Sequence, residues 1–156
     1  MSIPSLTVGG AAVSELTLLM FRVNNLMLSW GDRLVAEGGL TSARWQILGA
    51  IAATDKPQPV AWLARDLGSN RQNVQRIVND LERLGLVTFR PNPHHKRAQL
   101  VELTTKGRDA FDEALRLYNP EANSMAAGLS AEDLKAAEKV LSTLKIWLKE
   151  RAADEK

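Results

Sequence analysis

Cysteine is absent from the 156 residues, which excludes disulfides, thiolate metal sites and oxidation sensing through sulfur. Histidine occurs only twice, as His94 and His95. A zinc site needs three or four converging ligands, and two adjacent histidines without a nearby carboxylate do not supply them, so no metal is expected. No uncharged apolar run approaches a membrane span, and no basic, apolar, small-residue leader pattern opens the sequence. The expectation is a cytoplasmic protein that makes no membrane contact. A phosphate-cradling glycine loop, a dinucleotide fingerprint and a Ser-His-Asp arrangement at credible spacing are lacking too. Neither an enzyme nor a cofactor is indicated.

What is present belongs to a folded globular chain: 45% hydrophobic and 24% charged residues. The length suits one ordinary domain with a real core and leaves no room for a separate catalytic domain. The net charge of +2 hides an asymmetry. Residues 65–108 carry nine Lys or Arg against four Asp or Glu, net +5, whereas residues 109–156 carry seven against ten, net −3. Residues 1–64 balance four against four. A basic middle between neutral and acidic ends suggests one surface for a polyanion; ordinary solvated charge is the alternative.

Helical periodicity opens the chain, with Leu16, Leu19, Val23, Leu26, Trp30 and Leu34 on one stripe that Gly38-Gly39 ends. Leu40-Thr41 supplies a hydrophobic staple and an N-cap for a second helix to about Ala53, and TDKPQP reads as a loop. Val60 to Leu67 is a short helix broken by Gly68. Ser69 with Gln72 makes a capping-box pattern, so another helix starts directly after a tight glycine turn. Val74, Ile77, Val78, Leu81 and Leu84 form its apolar stripe, and Arg71, Gln72, Gln75, Arg76 and Asn79 gather opposite. LVTFR and AQLVELT read as a hairpin whose tip, PNPHHKR, is basic. Thr104 caps a further helix that Asn119-Pro120 is expected to end or kink, and a last helix follows Ser130 with Leu134, Ala137, Leu141, Leu144 and Leu148 on its stripe.

Helix, helix, tight glycine turn, helix and basic hairpin is the order of a winged helix-turn-helix. Arg bonds bidentately to guanine, and Asn or Gln to adenine, so amides and guanidiniums are groups that read bases. Arg71, Gln72, Gln75 and Arg76 fall on the exposed face of the first two turns, where a recognition helix enters the major groove. Asn70 stands at the helix entrance, within reach of a phosphate. Asn73 lies nearer the apolar flank. In the hairpin, Lys96 and Arg97 are placed for phosphates or an adjacent minor groove, with Arg90 supporting them at the base. A merely solvated helix face is the plainer reading, but Glu and Lys are scarce on these turns.

LTSARWQIL, LARDLGSNRQNVQRIVNDLERLGLV and LVELTTKG, in this order and spacing within residues 40–107, resemble the MarR family of bacterial and archaeal transcription regulators. The long first helix and the paired last helices extend the resemblance over nearly the whole chain. It implies a mostly α fold with a small β-hairpin wing, residues 40–103 being the winged helix-turn-helix DNA-binding lobe and residues 1–39 and 104–156 the N- and C-terminal dimerisation helices. It further implies a homodimer on a pseudo-palindromic double-stranded operator, a repressor released by a small ligand. One departure stands out: the family's wing carries an Asp two residues before the arginine that corresponds to Arg97, and here that residue is His95.

The apolar stripes of the two end regions exceed what a small DNA-binding lobe covers, which favours mutual burial in a homodimer over a closed monomer. A ligand pocket between lobe and dimer helices would draw on Met20, Met27, Trp30, Arg44 and Trp45, with Arg44 meeting the carboxylate of a small, anionic aromatic molecule. Plain core residues are the simpler account of each. Two rival functions use the same features: a DNA-compacting protein indifferent to sequence, and a winged-helix module that binds a ligand or protein and never DNA.

Overall fold

The computed structural model describes residues 3–154. Six helices and three short strands follow one another as α1 (Val8–Leu34), α2 (Ser42–Ala52), β1 (Gln58–Pro59), α3 (Val60–Leu67), α4 (Arg71–Arg83), β2 (Val87–Arg90), β3 (Leu100–Leu103), α5 (Thr105–Ala126) and α6 (Ala131–Asp154). A short 3-10 turn, Ala36–Gly38, lies between α1 and α2. The fold is mostly helical with a small antiparallel sheet, as the sequence pattern indicates. The chain divides into two compact units at Leu117/Tyr118.

In the first unit, Leu48 of α2, Leu63 of α3, Val74, Val78 and Leu81 of α4 and Val101 of β3 are wholly or almost wholly enclosed. Full burial of such a side chain stabilises by roughly 1.5–3 kcal/mol, so this shared centre ties three helices to the sheet. Trp45 and Phe111 pack at its margin.

Local chemistry explains where each helix starts. Thr41 caps α2, its hydroxyl oxygen accepting from the Arg44 N–H at 3.3 Å, and Leu40 beside it is buried. A second acceptor comes from α1: Asp32 Oδ1 receives the Ser42 N–H at 2.7 Å, and the Ser42 hydroxyl donates to the Leu28 carbonyl at 2.7 Å. Gly31 sits so close that a Cβ there would lie 2.5 Å from Ser42 Oγ. The end of α1 is thus locked onto the start of α2. Between α3 and α4 the backbone reverses at Gly68, whose φ of 62° favours glycine.

Three details depart from the sequence expectation. The cap of α4 is Asn70, not Ser69: Asn70 Oδ1 accepts from the Gln72 and Asn73 N–H groups at 2.8 and 3.4 Å. Asn and Ser cap about equally well, and the extra residue in the turn after Gly68 decides between them. Within TDKPQP, Gln58 and Pro59 form β1, paired antiparallel with Val101 and Leu100, so the sheet has the order β1-β3-β2 rather than being a bare hairpin. A two-residue strand containing proline is tolerated because it lies at the edge. Finally, of the end or kink expected at Asn119-Pro120, the end is not found, because α5 continues through Pro120 to Ala126. Proline removes a single ladder hydrogen bond, and strong helix formers such as Ala122 and Ala126 carry the helix on.

The second unit comprises the end of α5 and α6. Ser130 caps α6, accepting the Asp133 N–H at 3.0 Å while its hydroxyl donates to the Asp133 carboxylate at 2.6 Å. Leu134, Leu141 and Leu148 remain 47–60% exposed along α6, and Trp147 stacks under Arg151 at 5.1 Å.

Loss of the α4 cap in Asn70→Ala is expected to lower stability by about 1 kcal/mol, read as a reduced urea midpoint at unchanged slope. Ser69→Ala should leave the midpoint nearly in place; the opposite ranking would return the cap to Ser69. Gly107→Ala is expected to cost about 1–3 kcal/mol by overpacking, because a Cβ at that position would stand 1.8 Å from the Leu86 carbonyl oxygen. An unchanged melting temperature would refute that close approach.

Candidate nucleic-acid interface

Buried and exposed residues alternate along α4 with helical spacing. Val74, Ile77, Val78 and Leu81 face the core, and Arg71, Gln72, Asn73, Arg76 and Asn79 are exposed, with Gln75 half-buried among them. The first turn contains no acidic side chain. Its polar groups are linked in pairs: Gln75 Nε2 donates to Asn79 Oδ1 at 2.9 Å, and Arg76 Nη2 donates to Asn73 Oδ1 at 3.1 Å. Asp80 approaches Arg76 at 3.8 Å and also pairs with Arg83. Surface pairs of this kind contribute little to stability, but they hold long side chains extended over one face. Arg71 is in no ion pair among the described residues. Asn73, the weaker candidate by pattern, therefore supports Arg76 from the same face.

Asn70 is engaged by its capping bonds, so its side chain orders the helix entrance where a phosphate would approach.

The wing is built on β2 and β3, paired from Val87↔Leu103 to Arg90↔Leu100. Arg90 bonds through Nε to the Glu102 carboxylate across the strands. The pair spans the base of the wing, and the Arg90 side chain stays 65% exposed. The tip is organised by Asn92, a residue the pattern did not single out. Asn92 Nδ2 donates to the Ala98 carbonyl at 2.9 Å and its Oδ1 accepts from the His94 N–H at 3.0 Å. The only sequence signal was the Asn-Pro-His run, since Asn bonds readily to backbone two residues on. Lys96 and Arg97 project from this closed tip, both exposed and in no ion pair among the described residues.

The opposite end of α4 is anchored as firmly as its entrance. The Thr104 hydroxyl donates to the Gly85 carbonyl at 2.7 Å and accepts the Gly107 N–H at 3.0 Å, and Lys106 Nζ donates to the Leu84 carbonyl at 2.8 Å. The residues that start α5 thus satisfy carbonyls left open where α4 ends, fixing wing, recognition helix and α5 together.

The candidate ligand residues lie on α1 and α2. Trp30 adjoins Gly31 on α1, and Arg44 and Trp45 follow Ser42 on α2, so all three lie within three residues of the α1–α2 joint along the chain. Met27 and Met20 stand one and three turns back along α1. Arg44 donates from Nη1 to the Gly39 carbonyl at 3.3 Å, and Trp45 packs against the core. Met27 is 47% exposed.

No helix among the described residues is long and apolar enough to cross a membrane.

Residues 38–98, from the 3-10 turn to the wing tip, match a family model described as the MarR family. An uncharacterized protein of Mycobacterium tuberculosis is 32% identical over 137 residues, 88% of this chain and 94% of that protein. The transcriptional activatory protein BadR of Rhodopseudomonas palustris is 31% identical over 101 residues, 64% of this chain and 58% of that protein. The fold is shared with the crystal structure of a mutant MarR from E. coli complexed with operator DNA, at a TM-score of 0.75 and 22% identity over 85% of this chain and 95% of that one. The helix-turn-helix with its wing and the sequence kinship agree, and the chain belongs to the MarR family of transcription regulators.

Proposed function

We propose that the protein is a sequence-specific regulator that binds double-stranded DNA as a homodimer, represses transcription from a pseudo-palindromic operator and is released by a small ligand. The observation that carries the reading is the outer face of α4. Arg71, Gln72, Gln75 and Arg76 stand there on two turns free of acid, while the opposite stripe is locked in the core. A face meant only for solvent has no need of forked donors, whereas base edges in the major groove do. Arg71, Gln72, Gln75 and Arg76 read bases, Asn70 orders the entrance, and Lys96 and Arg97 bind backbone or minor groove, with Arg90 bracing the wing through Glu102.

The homodimer is supported by apolar surface that the single chain leaves uncovered: Leu18, Phe21 and Leu26 on α1 are 58–71% exposed, and Ile146, Trp147 and Leu148 on α6 are 53–60% exposed. Exposed apolar area on this scale marks an interface. In this reading residues 1–39 and 104–156 pair two copies and residues 40–103 carry the DNA-reading lobes, and the protein works in the cytoplasm without catalysing a reaction. The joint of Asp32, Ser42 and Gly31 then couples the pairing helix α1 rigidly to α2 and the lobe. A small anionic aromatic molecule bound near Trp30, Arg44, Trp45, Met20 and Met27 would act there by favouring a lobe spacing that mismatches the half-sites. Repression follows when the operator overlaps a promoter; BadR is described as activatory, and a site placed upstream would give that sign instead.

Selection of duplexes from a random pool is expected to return an inverted repeat with half-site centres about 10 bp apart; enrichment without a motif would point to a DNA-compacting protein. Alanine at Arg71, Gln75 or Arg76 should weaken the selected site by about 1–3 kcal/mol and random DNA far less. Lys96→Ala should weaken both alike and flatten the salt dependence. Equal losses on both duplexes for every variant would defeat this division of roles. Sedimentation at micromolar concentration should give twice the monomer mass, and a monomer would contradict the homodimer.

A further inference from the structure

One groove of the first unit contains residues to which neither base reading nor the wing gives a part. It has a volume of about 1140 Å³ and runs between the loop before β1, the start of α3, Arg71 and the wing tip from Asn92 to Ala98. Three cations, Lys56, Arg71 and Arg97, line it together with both histidines, against the single carboxylate of Asp55. Its wall is apolar, with Pro57, Ala61 and above all Trp62, which is 51% exposed. Trp62 is held in place by Arg65 on the same helix, whose guanidinium carbon lies 5.6 Å from the ring centre.

We infer that this groove carries the sugar–phosphate backbone of one DNA strand and that Trp62 is a DNA-contacting residue. The inference rests on the DNA-binding reading above. With α4 in the major groove and the wing at the adjacent minor groove, the strand that separates the two grooves has to pass between the start of α4, with Arg71, and the wing tip, with Arg97, and both residues line this groove. Lys56 and Arg97 then face phosphates, while Arg71 stands where the groove meets the base-reading face of α4. The ring of Trp62 and the prolines face the deoxyribose edge, the apolar part of the backbone. A backbone of anionic phosphates and apolar sugar edges matches a lining that combines cations with an exposed ring and prolines. The first helix of a helix-turn-helix crosses the backbone, and here that helix, α3, presents Trp62 to it. The contact is independent of sequence, because sugars and phosphates carry no base identity.

The test measures binding of the full-length protein to its selected duplex and to a scrambled duplex, by fluorescence anisotropy at several salt concentrations. Trp62→Ala is expected to weaken both duplexes by the same factor, roughly five- to tenfold given that about half of the ring remains to be buried, with the salt slope unchanged. Lys56→Ala should also weaken both duplexes and reduce the salt slope by about 1. Trp62→Phe, which keeps an apolar ring, should recover most of the loss, and a melting temperature equal to that of the parent protein will show that the variants fold. Unchanged affinity of Trp62→Ala beside normal binding by the parent overturns the inference and leaves the DNA-binding reading standing. Failure of the parent protein to bind any duplex overturns that reading itself. Intact DNA binding by Trp62→Ala together with lost binding of 8-anilinonaphthalene-1-sulfonate also overturns the inference, assigning the groove to a small apolar anion.

Discussion

Burial of one stripe of α4 is the constraint from which the rest follows. Val74, Val78 and Leu81 are 0–1% exposed, and a helix whose stripe is enclosed to that degree cannot rotate about its axis without opening cavities that cost several kcal/mol. Every other side chain on α4 takes its direction from this. Arg71, Gln72 and Arg76 point outward because the valines and leucine point inward, and the polar face is held to one orientation by apolar packing alone. Hydrogen bonds such as Gln75 to Asn79 adjust the face; they do not set it.

Translation of the helix along its axis is restrained separately, at its two ends. At the entrance Asn70 closes the first turn, and at the exit the Thr104 hydroxyl and the Lys106 ammonium take the carbonyls of Gly85 and Leu84. The second restraint needs α5 to approach so closely that only glycine fits at position 107. A contact between backbones resists shear better than one between flexible side chains, so the recognition helix and the start of α5 move as one piece. The α1–α2 joint repeats this solution with Gly31, Ser42 and Asp32. One joint connects the helix-turn-helix to α1, on which Leu18, Phe21 and Leu26 are exposed, and the other connects it to α5.

Much of this was legible in the residues. The span of α3, the buried stripe of α4 from Val74 to Leu81, the Thr41, Thr104 and Ser130 caps and the two wing strands all follow from periodicity, capping chemistry and glycine punctuation, which act within a few residues, whereas Leu84, expected on the same stripe, falls at the helix end and is 40% exposed. The elements that escaped such reading depend on distant partners. Gln58 and Pro59 become a strand only because β3, with Leu100 and Val101, offers an edge far along the chain. Asn92 organises the wing tip by reaching Ala98, and Arg90, which by type suits a phosphate, is taken by Glu102. The Asn70 cap differs from the expected Ser69 by one residue, a margin that the preceding turn decides. Trp62 and Lys56 carried no signal at all, since a lone tryptophan on a short helix reads as core.

Sequence alone determined the kind of protein: which segments are helical, which face of α4 is apolar, that the exposed remainder consists of amides and guanidiniums, and that the middle of the chain is basic. Each of these depends on residue type and on spacings no longer than a helical turn or two, which the primary structure states directly. Tertiary structure decided which of the candidate groups remain available. It paired Arg90 with a carboxylate, committed Asn70 to the backbone, and gathered Lys56, Trp62, Arg71 and Arg97 from four segments around one groove. Availability depends on contacts between residues far apart in the chain, and those distances exist only once the core of α2, α3 and α4 has closed.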